Sequence, residues 1–207
     1  LDTIIKEVLK YDRKIIIEEK LEQVLEYNIS ILKTNDKLYI SSIEEVETNL
    51  EYREYIDMES FADWWLVMEL TGIWEPNHPK STYMHKDKGG RLTMGPVWDF
   101  DWETYIPMNW FRIKDALYYG RLFQDPYFVS VVKERWNLLE EDFRSLPDFI
   151  SAEADRIRTS ESFNHQMWPV TLDVNKDIYM SFDAAVNSMI QAYQSKLEWL
   201  DREIGKM

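Results

Sequence analysis

From Phe61 to Leu70 the chain reads Phe-Ala-Asp-Trp-Trp-Leu-Val-Met-Glu-Leu, and this run limits what the rest can become. Phe61, Trp64, Trp65 and Met68 recur at i, i+3, i+4 and i+7, the spacing of one helix face, while Ala62, Leu66, Val67 and Leu70 fill most of the remaining surface. A helix that is apolar nearly all round must be enclosed by other elements. The spacing therefore predicts a central helix, capped by Asp57 or Ser60, inside an α-rich lobe. Glu69 falls in its last turn, where the helix dipole disfavours a negative charge by up to about 1 kcal/mol. It needs an offsetting partner, either a salt bridge to a lysine or arginine or a role in orienting the loop that carries Glu75.

That loop is broken by Pro76 and Pro79 and leads into two β-like runs, Ser81–Lys86 and Arg91–Trp98. Lys88-Gly89-Gly90 supplies the turn between them, because glycine tolerates the positive φ of a short hairpin. The hairpin should deliver Asp99 and Asp101 beside the Glu75 loop. In an extended segment these two aspartates point one way, and Trp98, Phe100 and Trp102 the other. A pair of carboxylates suits a hard cation such as Mg²⁺, which takes oxygen ligands and often only one or two from the protein. The competing reading is the solvated face of an edge strand. His78 and His85 lack a third nitrogen or sulfur ligand nearby, which argues against zinc; His78 is expected to shape the loop between Asn77 and Pro79.

Composition narrows the partners. With 24 basic and 38 acidic residues the formal charge is −14, which disfavours nucleic acid and anionic membrane surfaces, so no nucleic-acid partner is expected. An acidic site can still take ATP when a metal ion screens it. The absence of cysteine removes disulfides, cysteine zinc sites and thiol catalysis. No run approaches the roughly 18 apolar residues of a membrane span, so no membrane insertion of this chain is expected.

Residues 1–54 show helical spacing in pieces, at Ile4, Ile5, Val8 and Leu9 and again at Leu21, Val24, Leu25 and Ile29, with a short strand at Leu38–Ile40. They read as a helical connector truncated from a longer domain. Beyond the central stretch, Asp125-Pro126 is a strong helix start, and Phe128, Val131, Val132, Trp136 and Leu139 form its inward stripe. A separate helix is expected from Pro147 to Ile157 with Ile150, Ala154 and Ile157 inward. A last helix carries Phe182, Val186, Met189, Tyr193, Leu197, Leu200 and Ile204. The fold class is α+β, mostly α: a helical lobe with one small β-hairpin.

Four blocks in this order carry a family resemblance: Tyr55-Ile56-Asp57-x-x-Ser60-Phe61-Ala62-Asp63, Glu69-Leu70-Thr71, His78-Pro79-Lys80-Ser81-x-Tyr83-Met84-x-Lys86-Asp87, and Gly95-Pro96-Val97-Trp98-Asp99-Phe100-Asp101-Trp102. Together with Asp125-Pro126-x-Phe128 and Arg135-Trp136, they resemble the spore-coat protein H (CotH) kinase family from Tyr55 to the C-terminus. The resemblance implies that residues 55–207 are the C-terminal lobe of an atypical protein-kinase-like fold. The implied activity is ATP- and Mg²⁺-dependent phosphorylation of serines in secreted or coat proteins, in an extracytoplasmic location.

The resemblance also implies roles for single residues. Asp99 would hold the metal, Asp101 would support it, and Glu75 would act on the substrate hydroxyl. Asn77 or Ser81 would add a neutral oxygen. Lys80 would touch phosphate, although pairing of Lys80 and Lys86 with Glu69 or Asp87 is the competing expectation. The chain departs from the family where an Asn-x-Asp loop is expected, reading Ile73-Trp74-Glu75 instead, and it has no Gly-x-Gly-x-x-Gly loop. Such a fragment is expected to be inactive alone and to bind Mg-ATP weakly. The alternatives are a non-catalytic, pseudokinase-like surface protein that binds a protein partner, and a glycoside hydrolase built on Glu75 and Asp99, which needs a carboxylate separation of roughly 5–9.5 Å.

Overall fold

The computed structural model describes residues 52–78, 80–169 and 180–207. The connector expected over residues 1–54, apart from its last three, and the strand expected at Leu38–Ile40 lie outside the described residues. The elements are α1 (Tyr52–Tyr55), α2 (Met58–Thr71), a 3-10 turn (Glu75–Asn77), β1 (Met84–His85), β2 (Thr93–Met94), α3 (Tyr119–Leu122), α4 (Pro126–Met167) and α5 (Phe182–Lys206). The expected class holds: mostly helix, with one two-stranded sheet of β1 and β2.

The chain divides into two compact units. The described part of the smaller one comprises residues 52–57 and His85–Thr93. Its pieces are held by a parallel bridge between Ile56 and Leu92, with Asp57 N–H donating to Leu92 O (2.8 Å) and Leu92 N–H to Tyr55 O (2.7 Å). Gly89, at φ 77°, makes the turn the sequence predicts.

The larger unit, Met58–Met84 with Met94–Met207, is organised around α2. Phe61, Ala62, Trp64, Trp65, Leu66, Met68 and Leu70 are all buried, as a helix apolar nearly all round requires. Trp64 stacks on Tyr119 (5.7 Å between centroids, 4° between planes), and Trp65 meets Phe111 and Phe123. Helices α4 and α5 pack on α2 and on each other. Asp57 precedes the first turn, whereas Ser60 ties the helix to β2, its Oγ accepting from Met94 N–H (3.1 Å).

The strands are shorter than the runs Ser81–Lys86 and Arg91–Trp98. Gly95 N–H still donates to Tyr83 O (2.9 Å), but Gly95 sits at φ 120° and Pro96 has no N–H to continue the ladder. The extended segment therefore stops before the aspartates.

Helix α4 begins as predicted, with Asp125 Oδ1 accepting from Tyr127 N–H (2.9 Å) and Pro126 in the first turn. Phe128, Val131, Val132 and Trp136 are buried and Leu139 is half-buried. The separate helix expected from Pro147 is absent, because α4 runs unbroken for 42 residues with Pro147 inside it. A proline there leaves the carbonyl four residues earlier without its helical donor. That carbonyl is Phe143 O, and the hydroxyl of Tyr193 on α5 donates to it at 3.0 Å. Ala154 is buried as expected, but Ile157 is 39% exposed and does not point inward.

Tyr193→Phe should therefore cost about 1–3 kcal/mol, the penalty of an unsatisfied buried acceptor. Urea unfolding measures it, and a Pro147→Ala background, which restores the helical donor, should remove most of the loss. On α5, Tyr193, Leu197, Leu200 and Ile204 are buried in the predicted stripe, and Phe182, Val186 and Met189 are half-buried. No helix of the described residues is long and apolar enough to cross a membrane.

Candidate functional site

The end of α2 turns sharply at Gly72 (φ 69°), whose N–H donates to Met68 O (3.1 Å). Ile73 follows, 1% exposed, and then the 3-10 turn that contains Glu75 and the buried Pro76. Trp74 Nε1–H donates to His78 Nε2 (3.1 Å), so His78 shapes the loop, as the sequence suggested. Asn77 Nδ2 donates to Trp74 O (3.1 Å) and Arg112 O (3.2 Å). Its amide nitrogen is committed, and only Oδ1 is left to offer a ligand. Glu75 O accepts from His78 N–H (2.8 Å) and Lys80 N–H (3.4 Å), which curls the loop back toward Ser81.

Ser81 and Asp99 meet across the hairpin. Ser81 Oγ donates to Asp99 Oδ2 at 2.7 Å. Both residues are left-handed, at φ 49° and 67°, a conformation that costs an L-residue other than glycine roughly 1–2 kcal/mol. Such outliers persist where surrounding structure enforces them and concentrate at functional sites. The extended alternation expected for Trp98–Trp102 is corrected here: with Asp99 left-handed, the residues do not sort onto two faces. Asp99 is half-buried, Asp101 is exposed, and Trp98 is 56% exposed rather than packed on a core. The segment is closed by Thr104 Oγ1–H donating to Phe100 O (2.7 Å) and by Tyr105 N–H donating to Thr71 O at the end of α2 (2.8 Å).

Glu69 meets the first expectation raised for it, a salt bridge, while its carboxylate holds the Arg112–Ile113 segment instead of the Glu75 loop. It is fully buried and forms an ion pair with Lys196 Nζ of α5 at 3.0 Å. Its carboxylate also accepts from Arg112 N–H (3.0 Å) and Ile113 N–H (2.8 Å). Lys196 donates in addition to Trp110 O (2.6 Å) and lies over the Trp199 ring. Burial pushes the Lys196 ammonium pKa below its ordinary value, while the Glu69 charge pulls it up. The expected pairing of Glu69 with Lys80 does not occur: Lys196 holds that position, and Lys80 is exposed.

Sequence reasoning missed Lys196 and Arg112. Lys196 left a trace as a lysine inside the apolar stripe of Tyr193 and Leu197, whereas Arg112, in the run Trp110-Phe111-Arg112, left none. Arg112 places its guanidinium 4.6 Å over the Trp74 ring and pairs through Nη2 with Glu103 Oε2 at 2.6 Å.

Two polar atoms of this cluster, Glu75 Oε2 and Arg112 Nε, are buried without a hydrogen-bond partner among the described residues. An unmet buried carboxylate oxygen costs about 1–3 kcal/mol or more, and a ligand proton or cation would relieve it. Among the described residues no three His, Asp or Glu side chains are grouped to hold a metal ion. A Mg²⁺ site that keeps waters and substrate oxygens does not need such a group. Ser81 and Asp99 are joined directly, and Glu75 is joined to them through its carbonyl and Lys80 N–H. Asn77 is turned toward Arg112, and Asp101 and Lys80 stand exposed at the edge.

No curated protein and no solved structure matches this chain. A family model described as CotH kinase protein matches residues 9–200, which takes in the Glu75 loop, the hairpin, the Asp99 segment and most of α5. The match starts well before Tyr55, where the motif blocks begin. With nearly the whole chain covered, the protein belongs to the CotH kinase family.

Proposed function

We propose that this chain is the C-terminal lobe, residues 55–207, of an ATP- and Mg²⁺-dependent protein kinase that phosphorylates serines of secreted or coat proteins outside the cytoplasm, with residues 1–54 as its connector. The observation that carries this reading is the Ser81–Asp99 hydrogen bond between two left-handed residues, which holds one carboxylate against the loop that bears Glu75. Family membership supports the kinase-like class.

The donor set is oxygen only, as a hard cation prefers. Asp99, held through Oδ2 by Ser81, has its second oxygen for a cation, and the exposed Asp101 adds another carboxylate. Ser81 Oγ and Asn77 Oδ1 are the neutral oxygens within the same loop. The exposed Lys80 ammonium can reach phosphate. Bound Mg²⁺ would supply the positive charge that lets an acidic chain accept a polyphosphate. Glu75 Oε2 is buried and unmet, and taking the proton of an incoming serine hydroxyl, or orienting it, requires the Glu75 side chain to turn outward as substrate binds. Phosphoryl transfer depends on such positioning and charge neutralisation more than on covalent chemistry.

Transfer of label from γ-labelled ATP by the whole protein, beside Asp99→Ala, tests the reading. The variant should lose on the order of a hundredfold or more in rate, as when a preorganised electrostatic group is removed. Equal labelling by the two proteins overturns it.

One observation favours a second reading. Ile73 is fully buried and apolar where the family pattern implies asparagine, so that position offers no polar group. A protein that keeps the fold to bind a partner would transfer no label, and its partner binding would be indifferent to Asp99→Ala.

A further inference from the structure

Arg112 stands where the ties of the site cross. Its backbone N–H donates to Glu69, and its carbonyl accepts from the Asn77 amide. Its guanidinium lies over Trp74, the residue before Glu75, and pairs with Glu103, two residues after Asp101. The Arg112 side chain is 11% exposed and that of Glu103 38%, so solvent screens the pair from the Glu103 side only. Glu103 is itself left-handed, at φ 49°, an arrangement glutamate does not choose without an external hold. One planar cation thus touches the segment of Glu75 with its face and the segment of Asp99 and Asp101 with its edge.

We infer that the Arg112 guanidinium is a positioning residue that fixes the spacing between Glu75 and the Asp99–Asp101 pair. The inference rests on the proposal that these carboxylates form the reacting site. Lysine cannot replace arginine here, because a compact ammonium cannot lie flat on the Trp74 indole and donate from its edge to Glu103 at once. The backbone of residue 112 remains tied to Glu69 and Asn77 whatever its side chain. Side-chain variants therefore interrogate the guanidinium alone.

The test uses the whole protein as wild type, Arg112→Lys and Arg112→Ala. The first readout is the indole N–H resonances of Trp74 and Trp102, which report the two segments without any need for activity. Both should shift in both variants, and an unmoved resonance on either side overturns the inference; Arg112→Lys keeps this readout usable if Arg112→Ala folds poorly. The second readout is ADP formation from Mg-ATP, the leaving product whether the phosphoryl group goes to a serine or to water. Arg112→Ala should lower kcat about a hundredfold, the expected effect of misplacing reacting groups by about 1 Å, with KM for Mg-ATP changed by less than about threefold. Shifted resonances with unchanged kcat overturn the positioning role. A wild-type protein that forms no ADP counts against the kinase reading alone, and the resonances still decide whether Arg112 couples the two segments.

Discussion

Replacing Lys196 by methionine is expected to lower the stability of this protein by about 3–5 kcal/mol, the cost of leaving one member of a buried ion pair without its partner. Both side chains are almost completely inaccessible, so solvent cannot screen the stranded Glu69 charge. In a chain of this size the thermal midpoint should fall by roughly 10 °C or more. Many buried ion pairs can be exchanged for apolar residues at little cost when both partners are replaced together. Here that exchange should fail, because the Glu69 carboxylate also receives the N–H groups of Arg112 and Ile113, and Glu69→Leu would orphan both. Glu69→Gln removes the charge but keeps an oxygen for only one of those donors, which bind different carboxylate oxygens, so Glu69→Gln combined with Lys196→Met should recover part of the loss of Lys196→Met alone. Differential scanning calorimetry decides; a double variant no more stable than the single one would contradict the ion-pair account.

Gly72→Ala should cost about 2–4 kcal/mol. Part comes from the left-handed φ of 69°, roughly 1–2 kcal/mol for an L-residue. The rest comes from space, since an added Cβ would lie 2.9 Å from Met108 Cε, and Met108 is buried. Met108 Cε is the free end of a flexible side chain, so this part should lie at the low end of overpacking costs, about 1–2 kcal/mol. Because Gly72 is the pivot between α2 and the Ile73–Glu75 loop, the same change should also slow the phosphoryl transfer proposed for this loop. The two contributions separate in a cycle with Met108→Ala: the truncation should recover the steric part of the Gly72→Ala loss and leave the backbone part. A Gly72→Ala protein within about 0.5 kcal/mol of wild type in urea unfolding would refute both.

The central helix was legible because burial on all sides leaves a compositional trace in the residues themselves. Phe61, Trp64, Trp65 and Met68 could go nowhere but inside. The need for a partner at Glu69 was legible too, since a carboxylate in the last turn of such a helix is costly alone. Which partner was not, because Lys196 lies 127 residues further on and only the packing of α5 brings it back. Two local rules failed for the same kind of reason. Pro147 predicts a helix end unless a donor arrives from outside the helix, and Tyr193 is that donor. The run Arg91–Trp98 looks like a strand until Gly95 takes φ 120°, a backbone state its neighbours do not announce. Asp99 does come to lie against Ser81, which no local pattern announced, and the premise that set it on an extended face was wrong.

The proline in α4 also settles something about the helix pair. Two long helices with apolar stripes can slide along one another by a full turn and bury nearly the same surface, so greasy contact is a poor ruler. A carbonyl in want of a hydroxyl occurs at a single height on α4, and Tyr193 offers one at a single height on α5. Their meeting acts as an index notch that forbids the slipped alignments. Lys196 sits one turn beyond Tyr193, so the notch also meters how far that ammonium reaches toward Glu69, and a ring without an N–H in one helix ends up calibrating the anchor on which Arg112 and Ile113 hang.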